Sequence, residues 1–115
     1  MPKRRVILEL GSGNDLHGAD YTKAALRAVN DALHHSSLTF VRSLPIDRGK
    51  IDVEVTIGVQ RPEQVDLEQV KKSLPLGNVS VKAVKGGLDV PDPESNDPAV
   101  IASAAIAVRI AVGRA

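Results

Sequence analysis

Residues 51–59 alternate between apolar and polar side chains without a break, and this alternation constrains the fold more than any other feature of the sequence. The apolar members are Val53, Val55, Ile57 and Val59. Between them stand Asp52, Glu54, Thr56 and Gly58. Because successive side chains of a strand point to opposite faces, the pattern predicts a strand with one buried face and one polar face.

Two helices are predicted to cover the apolar side of such a strand. From Tyr21 to Leu33 the apolar residues recur at helical spacing, which predicts an amphipathic helix. Asp20 stands at the N-cap position of this helix, where its carboxylate accepts backbone N–H groups. A shorter helix is predicted over residues 66–74, with Asp66 as its cap.

Three more segments read as strands. Residues 5–10 alternate weakly, with Val6, Leu8 and Leu10 on one face, and residues 79–85 alternate again. Residues 99–112 are apolar on both faces, which predicts a central strand covered on each side.

Residues 37–50 are predicted to form an irregular connection. Residues 88–98 hold three prolines and four acidic residues, and are predicted to form a mobile exposed loop.

The resulting order, β-α-β-α-β-β, predicts an α/β two-layer sandwich with a four-stranded mixed sheet and two helices on one face. The chain of 115 residues is predicted to form a single domain, 1–115. With only Tyr21 and Phe40 as aromatic residues, the core must be built from Val, Ile, Leu and Ala. Such a core favours thin, closely packed layers.

The composition also narrows the function. A net charge of +1 does not favour a nucleic-acid binder, whose affinity comes mainly from neutralising phosphates. The absence of cysteine removes disulfide and thiolate chemistry and fits a cytoplasmic protein. No apolar stretch is long enough for a membrane span. We therefore expect no nucleic acid, no membrane and no cofactor among its partners.

The polar face of the sheet predicts a subunit interface. If Val53, Val55 and Ile57 face the helices, a mixture of charged and apolar groups faces away. These groups are Asp52, Glu54, Thr56, Ser80, Lys82, Glu9, Ser103 and Arg109, interleaved with Ile7, Ile101 and Ala105. The mixture is too apolar for a solvent face and too polar for a core, so we expect a homo-oligomer.

The stretch from Gly11 to Asp20 is predicted to be a glycine-rich loop between the first strand and the first helix. It fails the dinucleotide fingerprint because Leu16 stands where the third glycine is required. It fails the P-loop pattern because Ala19 and Asp20 replace the Lys and the Ser or Thr. A carboxylate at the helix N-terminus also repels a phosphate.

The same loop carries a dense set of functional groups: Asn14, Asp15, His17, Asp20, Thr22 and Lys23. One interpretation is structural, with Asp20 as a cap and Asp15 in an Asx turn. The other is a site, with His17 as acid or base between two carboxylates and Lys23 as an anchor for an anionic group. Glu54 or Lys82 is predicted to contribute from the sheet face. A metal site is not favoured, because nothing fixes a ligand geometry.

The motif D-L-H-G-x-D-x-T-K-A-A over residues 15–25 and P-E-Q-V-D over residues 62–66 resemble a family of short, uncharacterised proteins named after a Listeria hypothetical protein. The resemblance implies a fold similar to the chorismate-mutase-like and tubulin/FtsZ C-terminal-domain-like folds. It also implies assembly as a trimer or larger ring with pockets between protomers. It implies no activity.

Two functions follow as hypotheses. The first is a homo-oligomer that binds, and in a stronger version transforms, a small polar metabolite at a subunit-edge pocket built on the loop. The alternative is a non-catalytic assembly or interaction module in which the loop is only a turn and a cap.

Overall fold

The computed structural model describes residues 2–34, 45–74 and 77–111. The strands are β1 (Lys3–Asp15), β2 (Asp52–Val59), β3 (Asn78–Lys85), β4 (Leu88–Val90) and β5 (Ala99–Ala111). The helices are α1 (Tyr21–His34) and α2 (Leu67–Lys72), with short 3-10 turns at Arg48–Lys50 and Pro62–Gln64. The predicted irregular connection lies largely outside the described residues. The α/β class and the mixed sheet are confirmed.

The sheet is open, with the strand order β1-β5-β2-β3. β5 runs antiparallel to both of its long neighbours, whereas β2 and β3 are parallel. β4 pairs with the first residues of β5, beyond the point where β2 ends. The sheet therefore has five strands rather than the predicted four, and the segment predicted as a mobile loop begins with a strand.

Both helices lie on one face of the sheet, as predicted. α1 packs on β1 and β5, and α2 packs on β3. Between them lies a core of small and branched side chains, including Ala24, Ala28, Val55, Val70 and Ile106, each at most 1% exposed. Tyr21 is the only aromatic side chain in the described core, so the two layers approach closely, as the composition predicts.

Gly11 and Gly13 are strand residues, and the predicted loop there is wrong. A Cβ added to Gly11 would lie 2.4 Å from the Ala28 carbonyl oxygen, and one added to Gly13 would lie 2.3 Å from the Ala28 amide nitrogen. These two glycines let the backbone of α1 rest directly on β1. The glycines thus serve helix packing, and β1 continues to Asp15.

The orientation predicted for β1 is also wrong. Ile7 packs against the core, and Gly11 and Gly13 face α1, so the odd-numbered residues of this stretch face the helices. Leu8 and Leu10 lie opposite Ala107 and Ala105 on the other face. Because the side-chain period of a strand is two, the glycines that admit α1 also decide which face the neighbouring leucines take.

The face without helices, called the open face below, is covered by nothing in the described structure. Among the described residues, β5 is therefore covered on one side, not on both as predicted. Eight large apolar side chains are exposed among the described residues. Five of these lie on the open face, and Val6 adjoins them at a bulge in β1. The five are Leu8, Leu10, Val84, Leu88 and Val90.

Candidate functional site

The connection from β1 to α1 reverses the chain through two residues with positive φ. Gly18 has φ 94° and Ala19 has φ 47°, and α1 begins two residues later. The carboxylate of Asp20 accepts the backbone N–H of Lys23 at 3.0 Å. Asp20 is therefore the predicted N-cap of α1, and this carboxylate occupies the position that an anionic ligand would take.

Asp15 is the one polar or charged residue among the described residues that is buried, with 4% of its surface exposed. One carboxylate oxygen accepts the Asp20 N–H at 3.0 Å, rather than closing the predicted Asx turn. The other oxygen lies 3.8 Å from Lys23 Nζ and 3.7 Å from the Arg27 guanidinium. The two cations compensate the buried charge. Lys23 points back to the loop as predicted.

Arg27 is a member of this cluster that the sequence analysis missed. Its guanidinium also donates to the Asn14 carbonyl oxygen at 2.7 Å, while the Asn14 residue remains exposed. The signal was available, since Arg27 stands four residues after Lys23 and therefore on the same side of the helix.

His17 is held by a residue that sequence reasoning did not connect with it. His17 Nδ1 lies 3.1 Å from the Asp97 carboxylate, which also accepts the Gly18 N–H at 2.7 Å. Both contacts lower the pKa of Asp97, and the hydrogen bond from the Gly18 N–H has a larger effect than the contact with His17. The His17 side chain is 87% exposed. Asp97 is 80 positions away in the sequence, and no local sequence pattern predicts this pairing.

Thr22 joins the starts of the two helices. Its hydroxyl donates to the Gln64 carbonyl at 3.4 Å and accepts the Asp66 N–H at 2.9 Å. A cleft of about 500 Å³ opens beside it. The lining residues are Asp20, Thr22, Lys23, Leu26, Asp66 and Gln69. Three of the predicted site residues therefore share one cleft.

Glu54 and Lys82 lie elsewhere, on the open face. They share a cavity of about 410 Å³, and Glu54 is ion-paired with Arg109. Glu54 lies opposite Ala107 of β5, whereas Asp15 lies opposite Val100. Val100 and Ala107 are seven residues apart along β5, which is a distance of about 23 Å. Within one chain, the structure does not bring Glu54 and Lys82 to the loop.

A larger cavity of about 610 Å³ lies farther along the open face. Leu10 and Val84 form apolar walls, and Thr56 and Ser103 supply hydroxyl groups. This cavity is shallow and opens onto the surface that the exposed leucines and valines surround.

Tyr21 and Asp89 form a partly buried pair that the sequence analysis did not identify. The phenol donates to one Asp89 oxygen at 2.6 Å, and burial together with this bond raises the pKa of Tyr21. The other Asp89 oxygen is buried without a partner among the described residues. The pair fastens β4 to the start of α1.

Within the described ranges, no group of three or more His, Asp or Glu residues is arranged to hold a metal ion. In the same part of the chain, no helix has the length and apolar character needed to cross a membrane.

An open mixed sheet with two helices on one face is shared with a crystal structure of an FtsZ-like protein of unknown function from Nostoc punctiforme. The two chains are 37% identical, the match covers 97% of this chain and 99% of the other, and the TM-score is 0.81. The chain belongs to the family described as conserved hypothetical protein (Lin0512_fam), which matches residues 5–108. No curated protein matches the chain. The predicted family resemblance is confirmed.

Proposed function

We propose that this protein is an assembly subunit, and that a second copy of the same chain covers the open face. One observation carries the proposal: five of the eight exposed large apolar side chains among the described residues lie on this single face. Large apolar side chains gathered on one face of a small domain mark an interaction site. Removing it from water favours association.

The charges on the open face support a copy of the same chain as the partner. Lys3 bonds Asp52 at 2.9 Å, and Arg109 pairs with Glu54, so both signs are present on one surface. A surface that carries apolar groups and charges of both signs can be self-complementary, as a two-fold interface requires.

The partners found for the loop groups favour an assembly subunit over an enzyme. Asp20 caps α1, Asp15 is neutralised by Lys23 and Arg27, and His17 is paired with Asp97. Each of these side chains has a structural role. None of them therefore needs a role as an acid, a base or a nucleophile to explain its presence.

A matched pair of leucines tests the proposal. Leu10 on the open face is 64% exposed and Leu16 in the β1–α1 connection is 60% exposed. We expect Leu10→Ser to shift the protein to the monomer by at least about tenfold in dissociation constant, which is the effect of 1.4 kcal/mol. Leu16→Ser should leave association unchanged. Equal effects of the two substitutions in light scattering would contradict the proposal.

Small-molecule binding is the second candidate, and the cleft beside Thr22 and Lys23 is the observation that favours it. A small polar metabolite with an anionic group would lie against Lys23, with Thr22 as a hydrogen-bonding group. A thermal-shift screen of metabolites on wild type, Lys23→Ala and the exposed control Lys72→Ala tests this. A ligand present at a hundred times its Kd adds about 2.7 kcal/mol to the free energy of unfolding. A shift lost only in Lys23→Ala supports the site, and a screen without shifts rejects it.

A further inference from the structure

The open face carries more positive than negative side chains. Among the described strand residues, the carboxylates on this face are those of Asp52 and Glu54. The same strands present four cations on it: Lys3, Arg5, Lys82 and Arg109. Asp52 is paired with Lys3 and Glu54 with Arg109. Two cations are therefore left without an acidic partner.

The two remaining cations, Arg5 and Lys82, lie at one cavity. In the part of the chain that the structure describes, neither of them forms an ion pair. Both line the cavity of about 410 Å³ that crosses the open face from β1 to β3. Thr56 and Ser80 line it as well, and neither hydroxyl is hydrogen-bonded to another described residue. The cavity thus combines two unpaired positive charges with two available hydroxyl groups.

The middle of the cavity is open to a ligand. Ala105 and Ala107 of β5 line it there, and their short side chains fill little space. Arg5 reaches the cavity from β1 on one side, and Lys82 reaches it from β3 on the other. Glu54 also lines the cavity, but its charge is compensated by Arg109. A molecule lying on the alanines therefore meets a net positive charge.

Covering the open face makes the two unpaired charges costly. A second copy brings its own Arg5 and Lys82, and its carboxylates on this face are likewise taken. Exchanging ion pairs between the copies leaves the excess unchanged, because each face holds twice as many cations as carboxylates. Charges that leave water without a counter-charge are strongly destabilising.

We propose that the cavity binds the phosphate group of a small molecule, and that this anion compensates Arg5 and Lys82 when a second copy covers the face. A phosphate group carries about −1.5 to −2 charges at pH 7, which matches two cations. The planar guanidinium of Arg5 suits two phosphate oxygens, and Lys82 supplies a point charge. The hydroxyls of Thr56 and Ser80 donate to the other oxygens. This inference rests on the proposed self-association, because covering the face is what removes the charges from water.

Anion binding and self-association are linked in this arrangement. A ligand that binds the associated form more tightly than the monomer favours association by mass action. Lys82→Ala removes one of the unpaired charges and should therefore act in the same direction as the ligand. A lysine that merely contributes to the contact would have the opposite effect, since its removal would weaken association.

Sedimentation equilibrium with and without inorganic phosphate tests this linkage, at an ionic strength held constant with chloride. For the wild type, we expect about 10 mM phosphate to lower the dissociation constant of self-association at least about fivefold. Lys82→Ala should associate more tightly than the wild type without phosphate and should not respond to it. The exposed control Lys72→Ala should behave as the wild type does.

The possible failures are distinguishable. A wild type that associates equally well with and without phosphate overturns the anion site but leaves the self-association standing. A phosphate response in Lys82→Ala equal to that of the wild type also overturns the site. A chain that is monomeric in both buffers overturns the site and the self-association together.

An NMR titration of concentrated wild-type protein with inorganic phosphate locates the site. We expect the amide signals of Thr56, Ser80 and Lys82 to shift and that of Lys23 to stay in place. Shifts at Lys23 without shifts at Lys82 would place the anion in the cleft between the helices and overturn the proposal. A spectrum that phosphate leaves unchanged would overturn it as well.

Discussion

The two faces of the sheet come from the same two-residue alternation but differ in how they are covered. On the helix face the contact is so close that Gly11 and Gly13 leave no room for a methyl group beneath α1. On the open face, Leu8 and Leu10 stand 44% and 64% exposed, over alanines of β5. The chain completes one face with its own helices. On the other face it leaves large apolar side chains exposed among the described residues, and we propose that a second copy covers them.

The largest effect is expected from a substitution that tests how closely α1 packs on β1. Gly13→Ala places a Cβ 2.3 Å from the backbone of Ala28, which must move for the side chain to fit. We expect a loss of about 3 kcal/mol or more in the free energy of unfolding, at the upper end of overpacking costs. The neighbouring open-face change Ser12→Ala should cost less than about 0.5 kcal/mol. If urea unfolding shows that Gly13→Ala and Ser12→Ala lose the same free energy of unfolding, the proposed difference between the two faces is contradicted.

A smaller effect tests the buried charge beneath the start of α1. Asp15→Ala removes the acceptor of the Asp20 N–H and leaves Lys23 and Arg27 without their shared partner. We expect a destabilisation of about 2 kcal/mol, typical of a hydrogen bond to a charged group. Asn14→Ala is the control, because Asn14 uses its backbone carbonyl and not its side chain in the contact with Arg27. Thermal unfolding of both variants measures the difference.

The smallest effect concerns an ion pair on the open face. Hydrogen bonds from Lys3 and then Asn78 hold the pKa of Asp52 below its ordinary value. Because the folded-state pKa is lowered, the stabilisation is present above the ordinary carboxyl pKa of about 3.9 and is lost as the pH falls through the folded value. We expect Lys3→Ala to raise the pKa of Asp52 in an NMR titration, and Lys85→Ala to leave it unchanged. An unaltered pKa in Lys3→Ala would show that this pair is not formed in solution.

Most of the fold was predictable because its strongest patterns are local. The alternation of β2 and the helical repeat of α1 were each read directly from spacing. β1 was misread because Gly11 and Gly13 resemble a loop, and only the position of α1 shows that they serve close packing. β4 was missed because three residues beside prolines and acidic residues carry too little pattern to predict a strand.

The candidate site was predictable only where the contacts are local. The capping of α1 by Asp20 and the return of Lys23 toward Asp15 follow from positions within one turn of a helix start. The partner of His17 is Asp97, brought there by the whole fold, and Tyr21 reaches Asp89 across 68 positions. Sequence spacing carries no information on such pairs, so neither partner could be predicted.

Sedimentation equilibrium of the wild-type protein tests most directly whether the open face is an interface between copies of this chain. The monomer has a mass of 12.2 kDa. Across micromolar to millimolar concentrations, we expect a mass that rises to a whole multiple of this value. We also expect Leu10→Ser to shift the rise to higher concentration and Leu16→Ser to leave it unchanged. A mass of 12.2 kDa at every concentration would contradict the account.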